Sequence, residues 1–282
     1  SPDAGFYIGQ CYPCDAIVNN VISENNGLGY SGTNSGGSLY IISSVFKNNK
    51  GGLAPNTLDS ELLPPERETF IIGNLIENNN NIDAPATQST NLSLGNGVVI
   101  AGGNNNVIKN NVIANHNLYG VIITATADVN YWPAHGNRVE SNLIINSKRA
   151  DIASSGLSNL GNCFENNYFN TSIPPGLQTL NNCDSSFYPL SADLSGMWSS
   201  LARVIQTSDG NYNQGDWRTF EAPANQPNMP IMDELMSLGY DKTSLPVTKI
   251  WSSVKPAVEV FSQYEDVLEV IELPEEARNY LN

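Results

Sequence analysis

Short β-branched pairs bounded by asparagine recur through the first two thirds of the chain. In Asn104 to Asn117, NNNVIKNNVIANHN, Val107-Ile108 and Val112-Ile113 are separated and flanked by asparagines. The same pattern reads AIVNNVISEN around Asn20, YIISSVFKNN around Ser44, FIIGNLIENN around Asn74, VIKNNVIAN around Asn111, RVESNLIINS around Asn142 and CFENNYFNT around Asn167. Three residues before these centres stand Ile17, Ile41, Ile71, Ile108, Val139 and Phe164; directly after them stand Val21, Val45, Leu75, Val112, Leu143 and Tyr168. Two apolar columns therefore run through the chain. Such runs are too short for helices and, closed by Asn or Gly, predict strands with turns between them. Asparagine tolerates the left-handed backbone region and suits a sharp corner. The pattern predicts an asparagine ladder in which Asn20, Asn74, Asn111, Asn142 and Asn167 share one column.

The centres are spaced 24, 30, 37, 31 and 25 residues apart. Units of this size that cannot bury an apolar face alone must stack on one another as a solenoid. The Val and Ile columns with free insertions differ from a leucine-rich repeat, and no copy holds the 3.6-residue periodicity of a helical repeat. The reading is an all-β, right-handed parallel β-helix of about six rungs over residues 1–183. GFYI at 5–8 starts a strand with almost no lead-in, whereas an end rung needs a cap. Further rungs are therefore expected upstream, with the first strand's edge open or in contact with those rungs or another chain.

Composition divides the chain near Cys183: 33 of the first 183 residues are Asn, against 6 of the last 99. Residues 184–282 are expected to form a partly helical extension, with amphipathic patterns over 194–206 and 257–271 around an extended APANQPNMP stretch. The net charge of −15 divides as −6 and −9 across this boundary. Such a surface disfavours nucleic acid and acidic membranes, and no apolar run reaches the roughly 20 residues of a membrane span. Four cysteines in an Asn-rich chain suggest an oxidising compartment, hence an exported or cell-surface protein. Cys163 and Cys183 are expected to staple the last rung, the alternative being two reduced, buried thiols. Cys11 and Cys14 make a local disulfide or a structural turn, since no second pair completes a metal site.

Candidate chemistry lies in the segments that interrupt the repeat. Residues 27–38, GLGYSGTNSGGS, contain five glycines and predict special turns rather than a regular element. Three long insertions follow, at 51–70 with Asp59 and Glu61, at 82–96, and at 124–137 with Tyr131, Trp132 and His135. Loops leaving one edge of a solenoid usually build its binding face. Equivalent points of successive rungs become neighbours, so Asp15, Tyr30, Asn34, Asp59 and Glu61 are expected on one face. There the carboxylates could act as acid and base or hold calcium with Asn oxygens. Tyr131 and Trp132 would stack on a sugar ring. Of the two histidines, His116 falls at a repeat corner, whereas His135 is the better functional candidate.

In these repeats the chain resembles the pectate-lyase-like superfamily of right-handed β-helices. More narrowly, IGQCYPCDA, GYSGTNSGG, PNTLDSE and GNGVVIAGGN resemble a group of bacterial exported right-handed β-helix repeat proteins. The resemblance implies the fold and export but no activity. The superfamily includes polysaccharide lyases, hydrolases and uronan epimerases. Polygalacturonase motifs are absent, Asn56-Thr57-Leu58-Asp59 only echoing the first, as is the Asp-Pro-His-Glu motif of alginate epimerases. The β-helix protein associated with copper delivery to nitrous oxide reductase is also similar in fold, but Cys11, Cys14 and scattered Met make a weak ligand set. Two expectations result: a rigid scaffold that binds polysaccharide or another protein chain, and, as the alternative, a carbohydrate-active enzyme using Asp59 and Glu61.

Overall fold

A computed structural model describes residues 1–157 and 160–184, with residue 205 alone beyond them. The first rung consists of β1 (Ala4–Tyr7), β2 (Ala16–Asn19) and β3 (Ile22–Glu24). The second is β4 (Leu28–Thr33), β5 (Gly36–Ile42) and β6 (Val45–Lys47), and the third β7 (Gly51–Asn56), β8 (Arg67–Ile72) and β9 (Leu75–Glu77). After α1 (Gln88–Asn91) comes the fourth rung, β10 (Val98–Ala101), β11 (Val107–Lys109) and β12 (Val112–Ala114). The fifth opens with β13 (Tyr119–Thr124), branches into the hairpin β14 (Thr126–Ala127) and β15 (Tyr131–Trp132), and continues as β16 (Arg138–Glu140) and β17 (Leu143–Ile145). β18 (Ala150–Ser155) and β19 (Cys163–Glu165) begin the sixth, followed by β20 (Ser172–Ile173) and α2 (Leu177–Leu180).

Strands from equivalent points of each rung pair in parallel into three long sheets. Sheet 1 runs β1-β4-β7-β10-β13-β18-β20, sheet 2 runs β2-β5-β8-β11-β16-β19, and sheet 3 runs β3-β6-β9-β12-β17. The fold is a right-handed parallel β-helix. Alternate residues point inward, so Ile41, Ile71, Ile108, Val139 and Phe164 from sheet 2 meet Phe46, Ile76, Ile113 and Ile144 from sheet 3 in one core. Leu53, Val98, Val121 and Ile152 complete it from sheet 1.

Corners follow one rule: a left-handed residue turns the chain, and the next residue ties its rung to the following one. Between sheets 2 and 3 the left-handed positions are Asn20, Ser43, Gly73, Asn110, Ser141 and Asn166. The tying residues are Ser44, Asn74, Asn111, Asn142 and Asn167. Asn111 Oδ1 accepts the Asn74 amide at 2.9 Å and its Nδ2 at 3.0 Å, while Asn111 Nδ2 donates to Ile71 O and Asn142 Oδ1. Asn142 and Asn167 repeat the arrangement. Gln178 of α2 then takes the place of a further asparagine, its Oε1 accepting the Asn167 amide and Nδ2. The Cys163–Cys183 disulfide closes this end as the spacing suggested. Cys11–Cys14 closes the loop after β1.

Three readings need correction. Asn20 is not in the column; Ile22 pairs with Val45 and Val18 with Ile41, so the first copy is shifted by one residue. Asn20 is the left-handed corner residue, and Val18 rather than Ile17 enters the core. The glycine-rich segment is not irregular, since most of it forms β4 and β5. Its glycines are there for close approach: a Cβ on Gly36, at φ 142°, would lie 1.4 Å from Arg67 O, and one on Gly32 would lie 2.2 Å from the Tyr30 hydroxyl. Finally, the 82–96 insertion leaves the sheet 3–sheet 1 corner and reaches back along the axis, where the Thr87 amide and Thr90 Oγ1 bond to Pro2 O. It does not join the other two insertions. The helices expected over 194–206 and 257–271 lie, apart from residue 205, outside the described residues.

The ladder makes an asymmetric prediction about neighbouring asparagines. Asn111→Ala strands the Asn74 donors and the Ile71 carbonyl in a buried corner and should lower unfolding free energy by about 2–4 kcal/mol. Asn110→Gly preserves the left-handed backbone at φ 54° and should change it by less than about 1 kcal/mol. Equilibrium denaturation of the two variants checks both.

Candidate functional site

The sheet 1–sheet 2 corner gathers the loops 8–15, 57–66 and 125–137, with residues 156, 157 and 160–162, on one edge of the solenoid. Its tightest junction is Asp59. Oδ2 accepts the Asn130 amide at 2.7 Å, and Oδ1 accepts Asn130 Nδ2 at 2.7 Å and Trp132 Nε1 at 3.1 Å. In return the Asp59 amide donates to Asp128 Oδ2 at 2.9 Å. The amide and side-chain bonds from Asn130, followed by that from Trp132, hold the Asp59 carboxyl below the usual carboxylate range. It thus clamps the third-rung insertion to the fifth-rung hairpin.

Glu61 reaches the opposite way along the axis. Its Oε2 accepts the Tyr7 hydroxyl of β1 at 2.5 Å, and burial together with this bond pushes Tyr7 up to about 12. Asn34 shapes the loop between these carboxylates: Nδ2 donates to Leu58 O and Glu61 O, and Oδ1 accepts the Leu58 amide. Asn34 is fully buried and serves backbone. Tyr30 is also fully buried; its pairing between Phe6 and Leu53 gives it the inward parity of β4, so it belongs to the core and not to a binding face. Asp15 is an exposed left-handed residue at the turn into β2. The expected five-residue face is therefore divided among a clamp, a tether, a loop anchor, a core residue and a turn.

What the corner presents outward is a set of aromatic rings with anchored polar ends. Tyr7 bonds Glu61, and the Tyr12 hydroxyl donates to Glu68 Oε2 at 2.9 Å while the Arg67 guanidinium sits 3.7 Å from its ring centroid. The Tyr131 hydroxyl donates to Leu157 O at 2.6 Å, and Trp132 bonds Asp59. Tyr7, Tyr12 and Tyr131 are 46, 42 and 39% exposed. His135 Nδ1 accepts the Leu160 amide at 3.1 Å, and its own amide donates to Asn104 Oδ1, which fixes the loop behind Trp132.

Among the buried titratable residues, Glu66 escaped notice in the sequence, whereas His116 was read as a corner residue. Glu66 closes the first insertion, is fully buried, and ends a second asparagine ladder of Asn106, Asn137 and Asn162. Its Oε1 accepts Thr69 Oγ1 and its Oε2 accepts Asn106 Nδ2. Burial raises its carboxyl to about 8 against the opposing pull of those two bonds and of Arg67. His116 fills the asparagine position of a third ladder after Asn26, Asn49 and Asn79. Burial pushes it down to about 3. A signal existed for His116, its place at a repeat corner, but none for Glu66.

Calcium does not fit Asp59 as placed, because both carboxylate oxygens already accept N–H groups. Among the described residues, Glu140, Glu165 and Cys183 offer ligand atoms within 4.8 Å of one another. The Cys183 sulfur is bonded to Cys163, and Glu140 is paired with Arg138 and Lys109.

The chain matches no protein-family model and no curated protein. Among solved structures it is similar to the Azotobacter vinelandii mannuronan C-5 epimerase AlgE4 A-module, at 13% identity and a TM-score of 0.30, over 60% of this chain and 57% of that one. At that level the likeness says nothing about the corner residues.

Glu66 and His116 predict a stability plateau. Glu66 is raised in the folded state, so its contribution is full below about 4.5, its unfolded value, and is lost as pH rises toward about 8. His116 is depressed, so its contribution is full above about 6.5 and is lost as pH falls toward about 3. Between about 4.5 and 6.5 the two slopes oppose. Glu66→Gln should remove the decline on the alkaline side, as read by denaturation midpoints across pH.

Proposed function

We propose that this is an exported scaffold whose sheet 1–sheet 2 corner binds a neutral glycan. The observation that carries this is the aromatic corner: Tyr7, Tyr12, Tyr131 and Trp132 each have the polar end fixed by a hydrogen bond, which leaves apolar ring surface as the contact offered outward. Fixing the ring in advance lowers the ordering cost of binding, and a sugar's C–H face packs on an aromatic ring while its hydroxyls meet neighbouring acceptors. Glu61, Glu68, Asp59 and Asp128 line this corner, so a neutral chain suits it better than a polyuronate. Two disulfides support an oxidising compartment.

Catalysis is less well supported. Asp59 and Glu61 turn toward opposite ends of the axis, and Asp59 is committed to three donors. Titration with neutral and uronate oligosaccharides, followed by calorimetry, tests the proposal. Tyr131→Ala should weaken neutral-glycan binding about three- to tenfold, with no new reducing ends or unsaturated products from the wild type. Product formation abolished by Asp59→Asn and Glu61→Gln would replace binding with a carbohydrate-active enzyme.

A further inference from the structure

Sheet 2 carries an apolar patch on its outer side. Tyr40, Ile42, Phe70 and Ile72 alternate with the inward Ile41 and Ile71, and register sets Tyr40 beside Phe70 and Ile42 beside Ile72. The column extends to Ile17 on one side and Val107 on the other. The Tyr40 and Phe70 rings stack with centroids 4.9 Å apart. Side chains standing outward on a sheet are flanked by neighbouring strands but not roofed by them. Yet Tyr40, Ile42 and Ile72 are only 3, 2 and 2% exposed, whereas Ile17 at the margin is 39% exposed. Among the described residues, β5 and β8 pack chiefly on neighbouring strands of their own sheet.

We infer that the segment 185–282 docks on this outer face of sheet 2. The route of the chain supports that occupant. Register continues the same outward column from Phe70 through Val107 and Arg138 to Cys163, and Cys163 holds Cys183. The disulfide therefore delivers the chain onto this face, three strand spacings from Phe70, or about 14 Å. Fewer than about six extended residues span that distance, and 98 remain after residue 184. The sequence pattern of Ala257, Val258, Phe261, Tyr264, Leu268 and Ile271 supplies an apolar stripe for the contact.

A site-specific protease sequence inserted between Asp184 and Ser185 in the full chain allows a direct test. After cutting, the 185–282 fragment should co-elute with the body in size-exclusion chromatography. Tyr40→Lys with Ile72→Lys should weaken its retention at least about tenfold. Hydroxyl-radical footprinting of the uncut wild type needs no variant to fold: Tyr40 should react about tenfold more slowly than the exposed Tyr7, and lose that protection once the fragment is stripped away. Release of the fragment from the cut wild type, or Tyr40 reacting as fast as Tyr7 in the uncut chain, overturns the inference. So does a dimeric uncut chain whose dissociation alone exposes Tyr40, since a second copy would then be the cover.

Discussion

The carboxamide that accepts both the backbone amide and the side-chain amide of the rung before it is the contact on which this structure depends. A parallel solenoid must turn three times per rung, and each turn leaves a backbone N–H that no strand partner can reach. Here the left-handed residue makes the turn and the following asparagine satisfies the stranded donor. Its remaining Nδ2 hydrogen goes to a carbonyl one rung back, as from Asn74 to Ile41, Asn111 to Ile71 and Asn142 to Ile108. Serine at 44 can do only part of this: its Oγ accepts the Val21 amide and donates to Ile42 O. The column begins at that weaker link and ends in the Gln178 cap.

Where a ladder ends, the chemistry changes. The row Asn162, Asn137, Asn106 meets the 57–66 insertion, and there no asparagine occupies the corner. Thr69 takes the backbone role, its amide donating to Asn106 Oδ1, while the longer Glu66 side chain reaches Asn106 Nδ2. In the other ladder His116 accepts from Asn79 through Nε2 at 3.3 Å. That leaves the proton on Nδ1, which has no hydrogen-bond partner among the described residues. Both substitutions place a titratable group in a site made for a neutral amide, which explains why burial shifts Glu66 up and His116 down.

The columns of β-branched pairs were legible because inward parity and corner spacing both leave a period in the sequence. The single-residue slip at the first copy has a physical source in the doublets Asn19-Asn20 and Asn25-Asn26. Either member can be matched to the ladder, and only the burial of Val18 rather than Ile17 decides. The inwardness of Tyr30 was not legible, because the space its ring needs comes partly from missing side chains, as at Gly32. Asp59 and Glu61 were visible as an unusual pair in a Pro-rich loop. Their directions depend on Asn130 and Tyr7, 71 and 54 residues away, which no local pattern encodes. Glu66 looked like an ordinary loop charge for the same reason; its partner Asn106 is 40 residues on.

The same long-range bonds bear on what the corner can do. A general acid has to be reachable and protonated near the working pH, and a general base reachable with a free lone pair. Asp59 is reachable but held ionised, with donors on both oxygens. Glu66 is shifted toward neutrality but is sealed beneath Gly103, where a Cβ would lie 1.9 Å from its Oε2. Glu61 is spent positioning Tyr7. Carboxylates used this way stiffen loops and orient rings: Asp59 joins the third-rung insertion to the fifth-rung hairpin, and Glu61 holds the Tyr7 hydroxyl.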